Sequence, residues 1–259
     1  MIAMFAHAVR SEWLKQKRSL TFWLVIGSAF FVPSVIFLSR FRRIDTLPQI
    51  YQAPRFWDSL WVYSWESMAL MILPLAIMLA VTLVTQIEYR NNTWKQVHAT
   101  PQPLATIFLS KAAVILWLVA QLVLWFTAAI YLTGIVPALL FSHVDAPSGF
   151  PLVRFLKRDF QFFVDVLPIV AFQYLLAMRF RTFLAPLGIG MVIWILSIAT
   201  IGWKYNYLVP YSYAGLDYLM VEYRRPQTMA FSPRPIAAAC FLVFTTAGYV
   251  LYVARKDKG

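Results

Sequence analysis

Charge is scarce in this sequence, since only 13% of its 259 residues are Asp, Glu, Lys or Arg, against about a quarter in an ordinary soluble domain. Beside 61% apolar and 17% aromatic residues, that scarcity is the composition of a membrane protein. Cysteine is rarer still. Cys240 stands alone, so no intrachain disulfide can form and cysteine usage says nothing about compartment; it reads as a small packing residue. None of the nine glycines precedes a lysine, which removes the phosphate-cradling Gly-x-x-x-x-Gly-Lys loop and ATP hydrolysis by that route. Neither a Gly-x-Ser-x-Gly elbow nor a His-Glu-x-x-His pair occurs, and His7, His98 and His143 lie in separate segments. No catalytic residue, metal site or cofactor is therefore expected. His143-Val-Asp145 reads as solvated rather than metal-binding, and Asn91-Asn-Thr93 matches a glycosylation acceptor only weakly.

What the sequence has is apolar runs of about 20 residues, each long enough as a helix to cross roughly 30 Å of hydrocarbon. Six spans are expected, at about 20–39, 67–87, 112–136, 162–178, 183–203 and 236–254, within one transmembrane domain over 1–259. The fold class is an all-α integral membrane protein. The run at 20–39 is longer than a signal-peptide core and lacks a small-residue cleavage site, so it reads as a retained first span. Before it, residues 1–19 set Ile2, Phe5, Val9 and Trp13 near one helical face and Arg10, Glu12, Lys15, Lys17 and Arg18 on the others, the pattern of an interfacial amphipathic helix.

The gaps carry the charge. The net charge is +12, yet the basic residues are scattered between apolar blocks rather than gathered on one domain, so anionic membrane lipids and not nucleic acid are the expected counter-charge. Residues 40–64 read as a mixed loop whose Trp57, Trp61 and Tyr63 favour headgroup level, with Trp65 following. Residues 204–235 hold six tyrosines and read as an outer re-entrant or interfacial segment. Six spans put both termini on one side. Twelve of the 23 Lys and Arg fall on that side, a count that barely discriminates; their density near span ends favours cytoplasmic termini in the cell (inner) membrane.

Between spans two and three lies a polar, aromatic and basic island, residues 88–111, containing Glu88, Arg90, Asn91, Asn92, Trp94 and Lys95. Pro101 and Pro103 would stop a helix there and turn the chain back to the membrane. A helix that transmits a push needs an aromatic anchor such as Trp94 and charged neighbours that fix its register. A solvated hairpin with its cations on headgroups is the plainer alternative. Glu88 and Lys111 either face one another across the boundary or snorkel to water independently.

The order of these parts, together with the Arg-Phe-Arg-Thr-Phe connector at 179–183, resembles the permease subunits of type-2 ATP-binding-cassette (ABC) exporters, in particular the bacteriocin and lantibiotic immunity branch. The resemblance implies a permease that dimerises with a second permease subunit, homo- or heteromeric, and docks on separately encoded ABC ATPase subunits. It puts Glu88, Arg90, Asn91, Asn92, Trp94 and Lys95 in a cytoplasmic coupling helix and Arg179, Arg181 and Phe183 in a second contact. The implied function is outward movement of an amphipathic peptide, drug or lipid-like substrate. Polar groups in the spans are candidates for its path: Glu66 and Asp165, placed near the outer ends of spans two and four, and the deeper Gln121 and Gln173, whose interhelical hydrogen bonding is the favoured role. A non-transporting scaffold and, with less support, an intramembrane lipid-modifying enzyme are the rival readings.

Overall fold

The computed structural model describes residues 2–91, 102–141, 146–147, 149–223 and 233–254. Regular structure among them is helical: α1 (Ile2–Gln16), α2 (Leu20–Phe41), α3 (Leu47–Tyr51), α4 (Phe56–Ser67), α5 (Leu73–Arg90), α6 (Leu104–Leu140), α7 (Leu152–Arg179), α8 (Leu184–Ala199), α9 (Tyr213–Tyr223) and α10 (Pro233–Ala254). Five apolar rods are long enough to span a bilayer: α2, the continuous helix Phe56–Tyr89 formed by α4 and α5, α6, α7 and α10.

Two of the rods owe their joints to proline. Met68–Ile72 is a π-helical turn joining α4 to α5, and Pro74 follows it. Pro74 lacks the N–H that would bond the Leu70 carbonyl one turn back. The Trp194 indole of α8 donates to that carbonyl instead, at 3.0 Å. In α6, Pro137 likewise orphans the Thr133 carbonyl, and Arg40 Nη1 at the end of α2 takes it at 2.9 Å. Tyr51 donates to the neighbouring Gly134 carbonyl at 2.8 Å. The prolines thus cross-link helices through the carbonyls they release.

Several expected boundaries move. The span expected at 183–203 is the 16-residue α8, about 24 Å long at 1.5 Å per residue and short of a hydrocarbon core. Asn206 caps its end by donating to Ser197 O at 3.0 Å, one of the carbonyls left open in the last turn, and to Thr200 Oγ1 at 2.8 Å. The chain then folds back into the bundle, burying Tyr211 ahead of α9 and Tyr213 and Tyr218 within it, and α10 follows. The rods expected at 112–136 and 162–178 begin earlier, at Leu104 and Leu152. The expected loop at 40–64 is helical from Phe56. Trp57, Trp61 and Trp65 share one face of α4 at helical spacing and are core rather than headgroup anchors, Trp65 stacking on Phe162 with centroids 3.9 Å apart. Only Tyr63 faces outward.

α1 also turns differently from its apolar stripe. Ala8, Glu12 and Gln16 face the bundle and are buried, while Phe5 is exposed and Val9 and Trp13 pack at the margin. A carboxylate in the buried face requires a partner, and the bundle supplies one.

Candidate functional site

Four charged side chains from three helices meet where α1 crosses the bundle. Lys111, in the second turn of α6, is 1% exposed and donates to Glu12 Oε2 and to Glu88 Oε1, each at 2.9 Å. Lys15 donates to the same Glu88 oxygen at 2.9 Å and also contacts Glu12, one turn back on α1. The signs alternate around the group, so it is neutral as a whole. Burying any one of these charges alone would cost several kcal/mol, about what losing one partner costs in a buried pair. Burial by itself would lower the Lys15 pKa, but the carboxylates of Glu88 and Glu12 outweigh it and hold the ammonium above its ordinary value.

This group ties both helical arms of the polar island to α1. Glu88 is in the last turn of α5, and Lys111 follows the N-terminus of α6 at Leu104, which is entered from the described Pro103. Glu88 was expected within a docking helix; because α5 runs on to Arg90, its carboxylate is buried 2% exposed in the bundle and faces the two lysines. Asn91 ends α5 as an exposed cap. Arg90 belongs to α5, and Asn92, Trp94 and Lys95 lie outside the described residues.

The second expected contact sits at the same end. Gln86 Nε2, two residues before Glu88, donates to Phe180 O at 3.0 Å and approaches Ala177 O at 3.4 Å. Those bonds hold the 180–183 connector against α5, with Arg179 and Arg181 exposed and Phe183 half-buried. The C-terminal part of α10 joins them: Tyr249 and Tyr252 pack on Phe108, one turn before Lys111. Sequence reading missed Glu12, Lys15 and Gln86 as members of this junction. Glu12 did carry a signal, being the only acidic residue before Asp45.

The substrate-path candidates do not converge. No hydrogen bond or ion pair joins any two of Glu66, Gln121, Asp165 and Gln173. Glu66 is exposed on α4. Gln121 is half-buried on α6, its side-chain oxygen lacking a hydrogen-bond partner. Asp165 corrects its expected place at a span end: α7 starts ten residues earlier than foreseen, so Asp165 falls mid-helix and is fully buried, with Arg234 Nε 4.0 Å away. Arg234 also donates to Asp217 of α9 at 2.7 Å. Gln173 is a structural hub, donating to Thr82 Oγ1 and Pro186 O at 3.0 Å and accepting from Tyr211 at 2.7 Å. It links α5, α7, α8 and the segment before α9. Among the described residues no group of three or more His, Cys, Asp or Glu side chains is disposed to hold a metal ion.

A family model described as ABC-2 family transporter protein matches residues 8–197. No curated protein and no solved structure matches the chain.

Proposed function

This chain belongs to the ABC-2 family of transporter proteins, and we propose that within it the protein works as an exporter permease driven from the α1 end of its bundle. As a member it is a multi-pass permease subunit of an ABC transporter, and the ATPase resides on partner ABC subunits. In the proposed reading those subunits are separately encoded and grip the island between α5 and α6, with Trp94, Asn92 and Lys95 filling and registering the contact and Arg179, Arg181 and Phe183 forming its second half. Two permeases pair around the path, the termini are cytoplasmic in the inner membrane, and α8 with α9 completes a sixth, broken crossing. The cargo is an amphipathic peptide, drug or lipid-like molecule, as in the bacteriocin and lantibiotic immunity branch.

The observation that carries the reading is the neutral group of Glu12, Lys15, Glu88 and Lys111. It fastens the arms on either side of the island to α1, while Gln86 fastens the connector to the same arm. A push on the island then moves α1, α5 and α6 as one block instead of bending a loop. Docking shifts the population between two packings of that block. The test is copurification with the ATPase subunit and measurement of substrate-stimulated ATPase turnover. Trp94→Ala, and separately Arg179→Ala with Arg181→Ala, should leave insertion intact and reduce stimulation; undiminished stimulation in both contradicts the reading.

A further inference from the structure

At the end of the bundle opposite α1, the last turn of α2 opens onto a groove of about 970 Å³ bounded by α2, α3 and α4. Its walls are largely apolar, including Val35 and Leu38 of α2, Ile50 of α3 and Leu60 of α4, with Arg40 at the back and Arg42 and Arg43 on the rim. Among the described residues no carboxylate lines it. Nη1 of Arg40 is committed to Tyr51 and Thr133 O, so that residue forms a fixed back wall. Arg42 and Arg43 are exposed, and among the described residues neither is in an ion pair. Asp58 of α4 is taken by Arg154 at 2.9 Å, and Asp45, two residues beyond Arg43, does not line the groove.

Depth sets the ligand class. α2 has 22 residues, about 33 Å and close to the thickness of a hydrocarbon core, so the guanidiniums after its last turn stand at headgroup level while Val35 and Leu38 face acyl chains. We infer that this groove binds one anionic phospholipid, its phosphate held by Arg42 and Arg43 and an acyl chain lying along Val35, Leu38 and Leu60. A guanidinium fork matches phosphate oxygens in geometry and charge. The apolar walls give a soluble anion nothing to bury, and among the described residues no carboxylate lines the groove to partner a zwitterion's ammonium.

The experiment is native mass spectrometry of delipidated full-length protein titrated with phosphatidylglycerol, phosphatidylcholine or inorganic phosphate. Each basic residue near an anionic surface strengthens binding about fivefold, so Arg42→Gln with Arg43→Gln should weaken phosphatidylglycerol retention about thirtyfold. A variant of equal charge loss elsewhere, Lys17→Gln with Lys157→Gln, should retain it. The inference is overturned if the arginine variant binds phosphatidylglycerol like the parent, if phosphatidylcholine binds equally, if inorganic phosphate displaces the lipid, or if a dimer forms through this face and excludes it.

Discussion

Lys111 and Glu88 are 23 residues apart in sequence and 2.9 Å apart across the α5–α6 junction, both closed off from solvent. Their pairing is completed on the α1 side, where Glu12 takes the second lysine bond and Lys15 the second glutamate bond. α1 and the two rods that flank the polar island are therefore coupled through four side chains.

Removing one member leaves an odd buried charge. Lys111→Met should destabilise the protein by about 3 kcal/mol, within the range for breaking a buried pair. Adding Glu88→Gln restores neutrality by leaving Glu12 paired with Lys15, and should recover at least half of the loss. Thermal unfolding in detergent of the parent, both single variants and the double variant measures the coupling; additive losses would show that the charges act separately.

The Trp194 bond to Leu70 O depends on Pro74 having freed that carbonyl. Trp194→Phe should cost roughly 1–3 kcal/mol, the penalty for an unsatisfied buried group. Pro74→Ala reintroduces an N–H that can close the helix onto Leu70, so in the Trp194→Phe background it should restore stability. The same pair of unfolding curves checks both statements.

Trp57 packs so closely on α6 that a Cβ on Gly134 would stand 2.4 Å from its ring. Gly134→Ala should destabilise by about 1–3 kcal/mol through overpacking, and Trp57→Leu should make the same alanine nearly neutral. Gly190 faces a comparable limit from Gln173 Oε1 at 2.5 Å. Gly190→Ala should disturb the Gln173–Tyr211 bond and loosen the segment before α9, read as faster backbone hydrogen exchange across 206–212.

Much of this architecture was legible because lipid demands long apolar runs, and five of the six expected runs fall in helices long and apolar enough to span a bilayer. Local chemistry hid the remainder. The start of α7 carries Arg154, Lys157, Arg158 and Asp159, charges that read as a separate interfacial helix before the span, yet the helix runs unbroken into the rod and moves Asp165 to its middle. Trp57, Trp61 and Trp65 satisfy two rules at once, an aromatic belt and an i, i+4, i+8 stripe, and packing against Phe162 and Phe126 chose the second. α8 looked long because Ile201 and Trp203 prolong its apolar run; a side-chain bond from Asn206 caps its end. The four-charge junction was half visible in Glu88 and Lys111. Glu12 lies 99 residues from Lys111, beyond anything periodicity can connect.

Which end of the bundle meets the ATPase is tested most directly by cross-linking. In a Cys240→Ser background, single cysteines replace Trp94, Arg181 or Val153, the last being 82% exposed at the start of α7, the end away from α1, and the assembled complex is treated with a short thiol–amine reagent. Adducts between the permease and the ATPase subunit should form from positions 94 and 181 and not from 153. Adducts from 153 alone would place the motor at the other end and contradict the account.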